Sequence, residues 1–172
     1  MKLVKIAALA LAGALAWGPA AHAQMGGGMG MGSSSAPQQD PTIPYRAGVA
    51  ALNAQNYAEA IRQLRQARRA LPSDGNVNYA LGLAYAGAGD KDEAKNSFAR
   101  AVRASNAPVA AHLQLGLVSL ELGDRDTALA RQAALQQMLQ ACDAACGDAR
   151  RGQLQTAYDQ LSRALTAAPA TQ

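Results

Sequence analysis

Residues 79–106 read YALGLAYAGAGDKDEAKNSFARAVRASN, and their pattern recurs on both sides. At an offset of 34 residues stand YRAGVAALNAQNYAEAIRQLRQARRALP from Tyr45 and LQLGLVSLELGDRDTALARQAALQQMLQ from Leu113. Gly48, Gly82 and Gly116 fall in register, as do Ala60, Ala94 and Ala128. Leu81 matches Leu115, and AGDKDEA at 88–94 matches LGDRDTA at 122–128. A fixed period of this kind marks an array of like units, none of which buries its apolar face alone. Nothing here alternates as a strand does, whereas Ile61, Leu64, Ala67 and Leu71 recur at helical spacing. Asn56 and Asp90 stand where helix N-caps belong, and Glu59 and Glu93 follow three residues on, as in a capping box. Each unit therefore reads as a helix, a short turn and a second helix.

The period and these residues resemble the tetratricopeptide repeat. The resemblance covers about 100 residues and implies an all-α fold, an α-solenoid of three helix hairpins. It places the small pairs Gly48 with Ala60, Gly82 with Ala94, and Gly116 with Ala128 where the two helices of a hairpin approach most closely. Leu64, Tyr85, Phe98 and Leu115 are then the large residues that fill the space between neighbours. Pro72 closes the first repeat as the family's proline does, but Asn106 and Gln140 replace it in the others. Gln132 stands where the family carries an aromatic residue or leucine, so the second helix of the third repeat is expected to pack irregularly.

A stack of this kind needs an end cap. Leu154, Tyr158, Leu161 and Leu165 form one apolar stripe at i, i+4, i+7 and i+11, with Arg151, Gln155, Asp159 and Arg163 opposite. This predicts a C-terminal capping helix on the third repeat, within a domain spanning 42–168 and followed by a short tail, 169–172.

The ends of the chain address location. MKLVK, the apolar run IAALALAGALAW and AHA at 21–23 have the order of a signal peptide, residues 1–23, cut before Gln24. The run is too short for a membrane span, which needs about 20 apolar residues, and no other stretch is long enough. The expected location is the periplasm of a bacterial cell. Loss of Lys2 and Lys5 lowers the basic residues from 16 to 14 against 12 acids, which weakens any argument for nucleic acid. Residues 24–41, QMGGGMGMGSSSAPQQDP, have the composition of a flexible linker. Met25, Met29 and Met31 within it offer soft thioethers, so copper handling is one rival reading.

Cys142 and Cys146 are the only cysteines. In an oxidising compartment two cysteines argue for one disulfide. Residues four apart in a continuous helix bridge poorly, so the bond requires the preceding helix to end near Cys142, with Gly147 and Asp148 supplying the turn and the next N-cap. A thiol-redox role is the second rival, although the spacing is not the two-residue one of thioredoxin-type centres. Zinc would need about four ligands, and only His112 and scattered acids are at hand. No catalytic constellation, phosphate loop, cofactor site or metal site emerges: His112 reads as a helix residue, and Ser97 and Ser119 lack a nucleophile's context.

What remains is a binding surface. The resemblance implies a concave groove formed by the first helix of each repeat. Carried over by position, it comprises Tyr45, Val49, Leu52 and Asn53, then Asn76, Tyr79 and Leu83, then Leu113, Leu117 and Leu120. The lysine and asparagine clamp that some members use for a terminal carboxylate is absent. The sequence therefore points to a non-catalytic protein-interaction module in the cell envelope. Its expected partner is another protein or peptide, and part of the groove could be filled by this chain or by self-association. Arg62, Arg65 and Arg69 line one helix face beside Arg68, a solvated surface or a contact for an acidic partner or phospholipid headgroups.

Overall fold

The computed structural model describes residues 40–142 and 146–168, and the signal-like and Met-rich segments and the tail 169–172 lie outside them. Among the described residues there are seven helices and no strands: α1 (Thr42–Asn53), α2 (Tyr57–Ala70), α3 (Gly75–Gly87), α4 (Lys91–Ala101), α5 (Val109–Glu121), α6 (Arg125–Gln140) and α7 (Asp148–Ala167). They pair as α1/α2, α3/α4 and α5/α6, with α7 against both α5 and α6. The architecture is an all-α solenoid.

The turn inside each hairpin repeats atom for atom. The residue after the first helix's C-cap is left-handed in all three: Gln55 (φ 58°), Gly89 (φ 83°) and Gly123 (φ 77°). The next N–H then bonds back to a helical carbonyl, Asn56 to Ala51, Asp90 to Tyr85 and Asp124 to Ser119, the six-to-one bond of a Schellman cap. Asn56, Asp90 and Asp124 also start the next helix, their side chains accepting from the N–H groups of Glu59, Glu93 and Thr127. This explains why the capping box is only half made. The N-cap N–H is already used by the Schellman bond, so the Glu59 carboxylate accepts instead from Arg62 (2.6 Å) and Gln63 (2.8 Å).

Ala60, Ala94 and Ala128 are fully buried, and Leu64, Tyr85, Phe98 and Leu115 are at most 4% exposed. A Cβ on Gly48 would lie 2.5 Å from Leu64, and one on Gly82 would lie 2.5 Å from Phe98, so both glycines permit the close approach of their hairpin's helices. Arg65 lies over the Tyr85 ring, 5.7 Å from its centroid, joining the first repeat to the second. Asn106 does the work of the missing proline by another route. Its Oδ1 accepts from Gly75 N at 2.7 Å and its Nδ2 donates to Asp74 Oδ2 at 2.8 Å, tying the second inter-repeat loop to the first. Lys91 with Glu121 and Lys95 with Asp124 bridge the second and third repeats at the opposite ends of the helices.

The third hairpin departs from the others where Gln132 replaces the large apolar residue. What crowds Gly116 most closely is not a side chain of α6: a Cβ there would lie 2.6 Å from Leu161 of α7. Leu161 is fully buried, and Gln132 turns to donate to Ser162 Oγ at 2.8 Å. The capping helix thus supplies the apolar knob that α6 lacks. Leu154 and Leu165 are buried beside it and Tyr158 is half-buried, as the stripe predicts.

Arginines fix both ends of α7. Arg125, in the first turn of α6, donates to the carbonyls of Leu165 (3.0 Å) and Ala168 (3.3 Å). Arg151 donates to the Cys142 carbonyl at the end of α6. The two helices therefore run antiparallel. Cys142 and Cys146 are disulfide-bonded, with Cα atoms 5.1 Å apart, and α6 ends at Gln140 as that bond requires. The N-cap of α7 is Gly147 at φ 75°, and Asp148 is the first helical residue rather than the cap.

Candidate interaction groove

The first helices of the repeats, α1, α3 and α5, carry every groove position. Tyr45, Val49, Leu52, Tyr79 and Leu83 are half-buried, each packed on the core shared by the first two repeats, while Asn53 and Asn76 are exposed. Half-burial leaves each apolar side chain rooted in the core with its outer face in solvent. Tyr79 also packs on Phe98, ring centroids 5.9 Å apart, and burial raises its phenol pKa, so it stays protonated.

Leu113, Leu117 and Leu120 belong to a different cluster, one built with Leu154, Ala157, Leu161 and Leu165 of α7. Leu113 is only 9% exposed. The proposed groove positions thus fall into two groups, one on α1 and α3 and one beside the chain's own last helix, where Leu113 is buried and Leu117 and Leu120 remain half-buried. The sequence reading missed the part that α7 takes in this surface. A cleft of about 800 Å³ runs from Val109 and Leu113 to Arg150, Gln153, Thr156 and Ala157. A smaller one, about 390 Å³, lies where Leu117 and Leu120 meet Ala164 and Ala167. Small residues on one side of α7, at Ala157 and then seven and ten positions on at Ala164 and Ala167, were the signal for this second face. A third cleft of about 670 Å³ follows α1 past Ile43, Tyr45, Arg46, Val49 and Asn53.

His112 lies outside the groove. It is 6% exposed, its Nδ1 has no hydrogen-bond partner among the described residues, and neither has Nε of Arg131. Burial, with the nearby Arg131 charge, lowers its pKa to about 4, so it is a neutral packing residue at neutral pH. Among the described residues no group of three or more His, Cys, Asp or Glu side chains is placed to hold a metal ion. No described helix is long and apolar enough to cross a membrane.

The tetratricopeptide repeat family model matches residues 45–94 and 79–146, more than half of the chain. The chain belongs to the tetratricopeptide repeat family. Proteins of this family are in general non-catalytic scaffolds for protein–protein interaction. Among solved structures, the chain is similar to "MamA RS-1 ArsTM double mutant" at 25% identity and a TM-score of 0.57, with 60% of this chain and 58% of that one covered. It is also similar to "MamA 41-end from Desulfovibrio magneticus RS-1" at 24% identity and a TM-score of 0.57, covering 62% and 60%. The tetratricopeptide array therefore spans less than two thirds of these structures' length. No curated protein matches the chain.

Proposed function

We propose that the protein is a non-catalytic adaptor of the bacterial cell envelope that holds an extended or helical segment of another protein on its concave face. One observation supports this most: the apolar row Tyr45, Val49, Leu52, Tyr79 and Leu83 is half-exposed, flanked by the exposed amides of Asn53 and Asn76. Aromatic and aliphatic anchors rooted in a rigid core present contact area at low entropic cost, and amides beside them serve a bound backbone. The α1/α3 half carries the row without interruption, whereas on α5 Leu113 is buried beside α7 and only Leu117 and Leu120 stay half-exposed. Export, by the signal-like residues 1–23, would place this surface in the periplasm.

The test pairs Tyr45→Ala with Asn76→Ala, which leave the Tyr79–Phe98 contact intact. Affinity capture from envelope extracts should recover a partner with the native protein and lose it with the double variant, both giving the same helical circular dichroism. Equal recovery by the two proteins would remove the groove from the function. Fractionation and N-terminal sequencing check the location: a mature protein starting at Gln24 in the periplasmic fraction is expected.

A further inference from the structure

Helix ends divide the molecule into two edges of opposite charge. At one edge lie the starts of α3, α5 and α7 and the ends of α2, α4 and α6. Gly75 meets Asn106 there, Pro72 and Ser73 share a cleft with Arg100 and Arg103, and Arg151 reaches the Cys142 carbonyl. At the other edge Gly87 lies against the Tyr57 ring, Lys91 pairs with Glu121, and Arg125 bonds the last carbonyls of α7. The first edge carries Arg46, Arg68, Arg69, Arg100, Arg103 and Arg150. Its described acids are Asp40, Asp74 and Asp148, and Asp74 is engaged with Val77 N and Asn106. On the second edge the cations Arg62, Lys91 and Lys95 are matched by Glu59, Glu121 and Asp124. Arg125 caps α7 there and Arg163 stands in its last turns, and these two cations are outnumbered by the N-cap Asp90 with Asp92, Glu93 and Asp126, so the edge is net negative.

The helix dipole accounts for part of this, since it favours acids at helix starts and cations at helix ends. It does not account for Arg150, in the first turn of α7, or Arg46, near the start of α1, both set against the dipole. The edge as a whole, and not each helix separately, is basic. Both edges also carry exposed large apolar side chains: Ile43, 66% exposed, on the basic edge, and Leu122 and Leu129, 37% and 44% exposed, on the acidic one. An acidic peptide or an anionic bilayer would answer only the basic edge. A second copy of this chain answers both.

We propose that the protein self-associates edge to edge, the Arg100/Arg103 edge of one copy against the Asp92/Asp126 edge of the next. The two patches differ, so the contact is head-to-tail and leaves a free edge of each kind at the ends of the assembly. The groove is not used, so assembly and partner capture are compatible, and neither proposal depends on the other.

Sedimentation velocity over a dilution series tests this. The mass-average size should rise with concentration at about 20 mM salt and return to monomer at about 500 mM, where screening is short-ranged. Arg100→Glu/Arg103→Glu and Asp92→Lys/Asp126→Lys should each be monomeric alone, since each removes the charge contrast between its own two edges. Mixed in equal amounts, they should associate. Circular dichroism confirms that both fold; the four side chains are exposed. A monomer at every concentration and salt, association unaltered by both variants, or no association in the mixture overturns the proposal. So does binding of anionic vesicles or poly-glutamate by a protein that remains monomeric.

Discussion

At the scale of single residues, the three intra-hairpin turns form an internal comparison. Gly89 and Gly123 adopt the left-handed conformation without cost, and Gln55 adopts it with a side chain. Left-handed backbone costs a non-glycine residue about 1 kcal/mol. Gln55→Gly should therefore raise stability by about 0.5–1 kcal/mol in chemical denaturation, against the usual penalty for adding a flexible residue. His112 makes a pH prediction. Its folded pKa, about 4, lies below the ordinary value of 6.5. Above pH 6.5 neither state binds the proton, and the residue leaves stability independent of pH. Between pH 6.5 and 4 the unfolded chain takes up a proton that the folded chain refuses, so stability falls by at most about 3 kcal/mol, then levels off. Asn78, the counterpart one repeat earlier, donates to the carbonyls of Pro72 and Asp74. His112→Asn should remove the pH 4–6.5 loss and leave the carboxylate-driven decline at lower pH, where Glu59, held at about 2, and Asp124, lowered by Lys95 and Thr127, become protonated.

Among the elements, α7 carries the main lesson about what the sequence discloses. Its existence, its apolar stripe and its place after the third repeat were legible, because amphipathic periodicity survives without context. The irregularity at Gln132 was legible too. The remedy was not: nothing in a one-dimensional pattern says that Leu161, 29 positions on, enters the space facing Gly116. Leu161→Ala should cost about 2–5 kcal/mol, since it empties a fully enclosed site between two other helices. Amide exchange should quicken in α5 and α6 as well as in α7. The disulfide acts on the same joint. Its short loop is worth about 2 kcal/mol by the chain-entropy relation, so Cys142→Ser/Cys146→Ser should lower stability by that order and loosen chiefly the start of α7. A measured reduction potential below about −300 mV would mark the bond as structural and exclude a thiol-redox role.

For the whole molecule, the hairpin register and the small-residue pairs were readable because each constraint acts within one repeat. The reach of the groove was not, because it depends on how far α7 leans over α5. Leu113 occupies a groove position by register and a core position by environment, while Leu117 and Leu120 stay half-buried at the edge of α7. The two clusters meet at α5, whose Leu115 and Val118 join the first and whose Val109 and Leu113 join the second. A chain ending at Gln140 should keep α1–α4 protected from amide exchange while α5 and α6 lose protection. Retained protection in α6 would show that the third hairpin stands without α7.

The arginines at the two ends of α7 bear on how such an array can lengthen. Arg125 holds the last carbonyls of α7, and Arg151 holds the final carbonyl region of α6. The berth in which a fourth hairpin would dock is thus already tenanted, with its entrance stapled by Cys142–Cys146. Copies of the 34-residue unit spliced in after Gln140 would have to evict α7. Copies spliced in at Ser105, between the second hairpin and the third, would find matching surfaces on both sides. Toward its C-terminus, this solenoid can lengthen only by insertion ahead of α7 and the hairpin it caps.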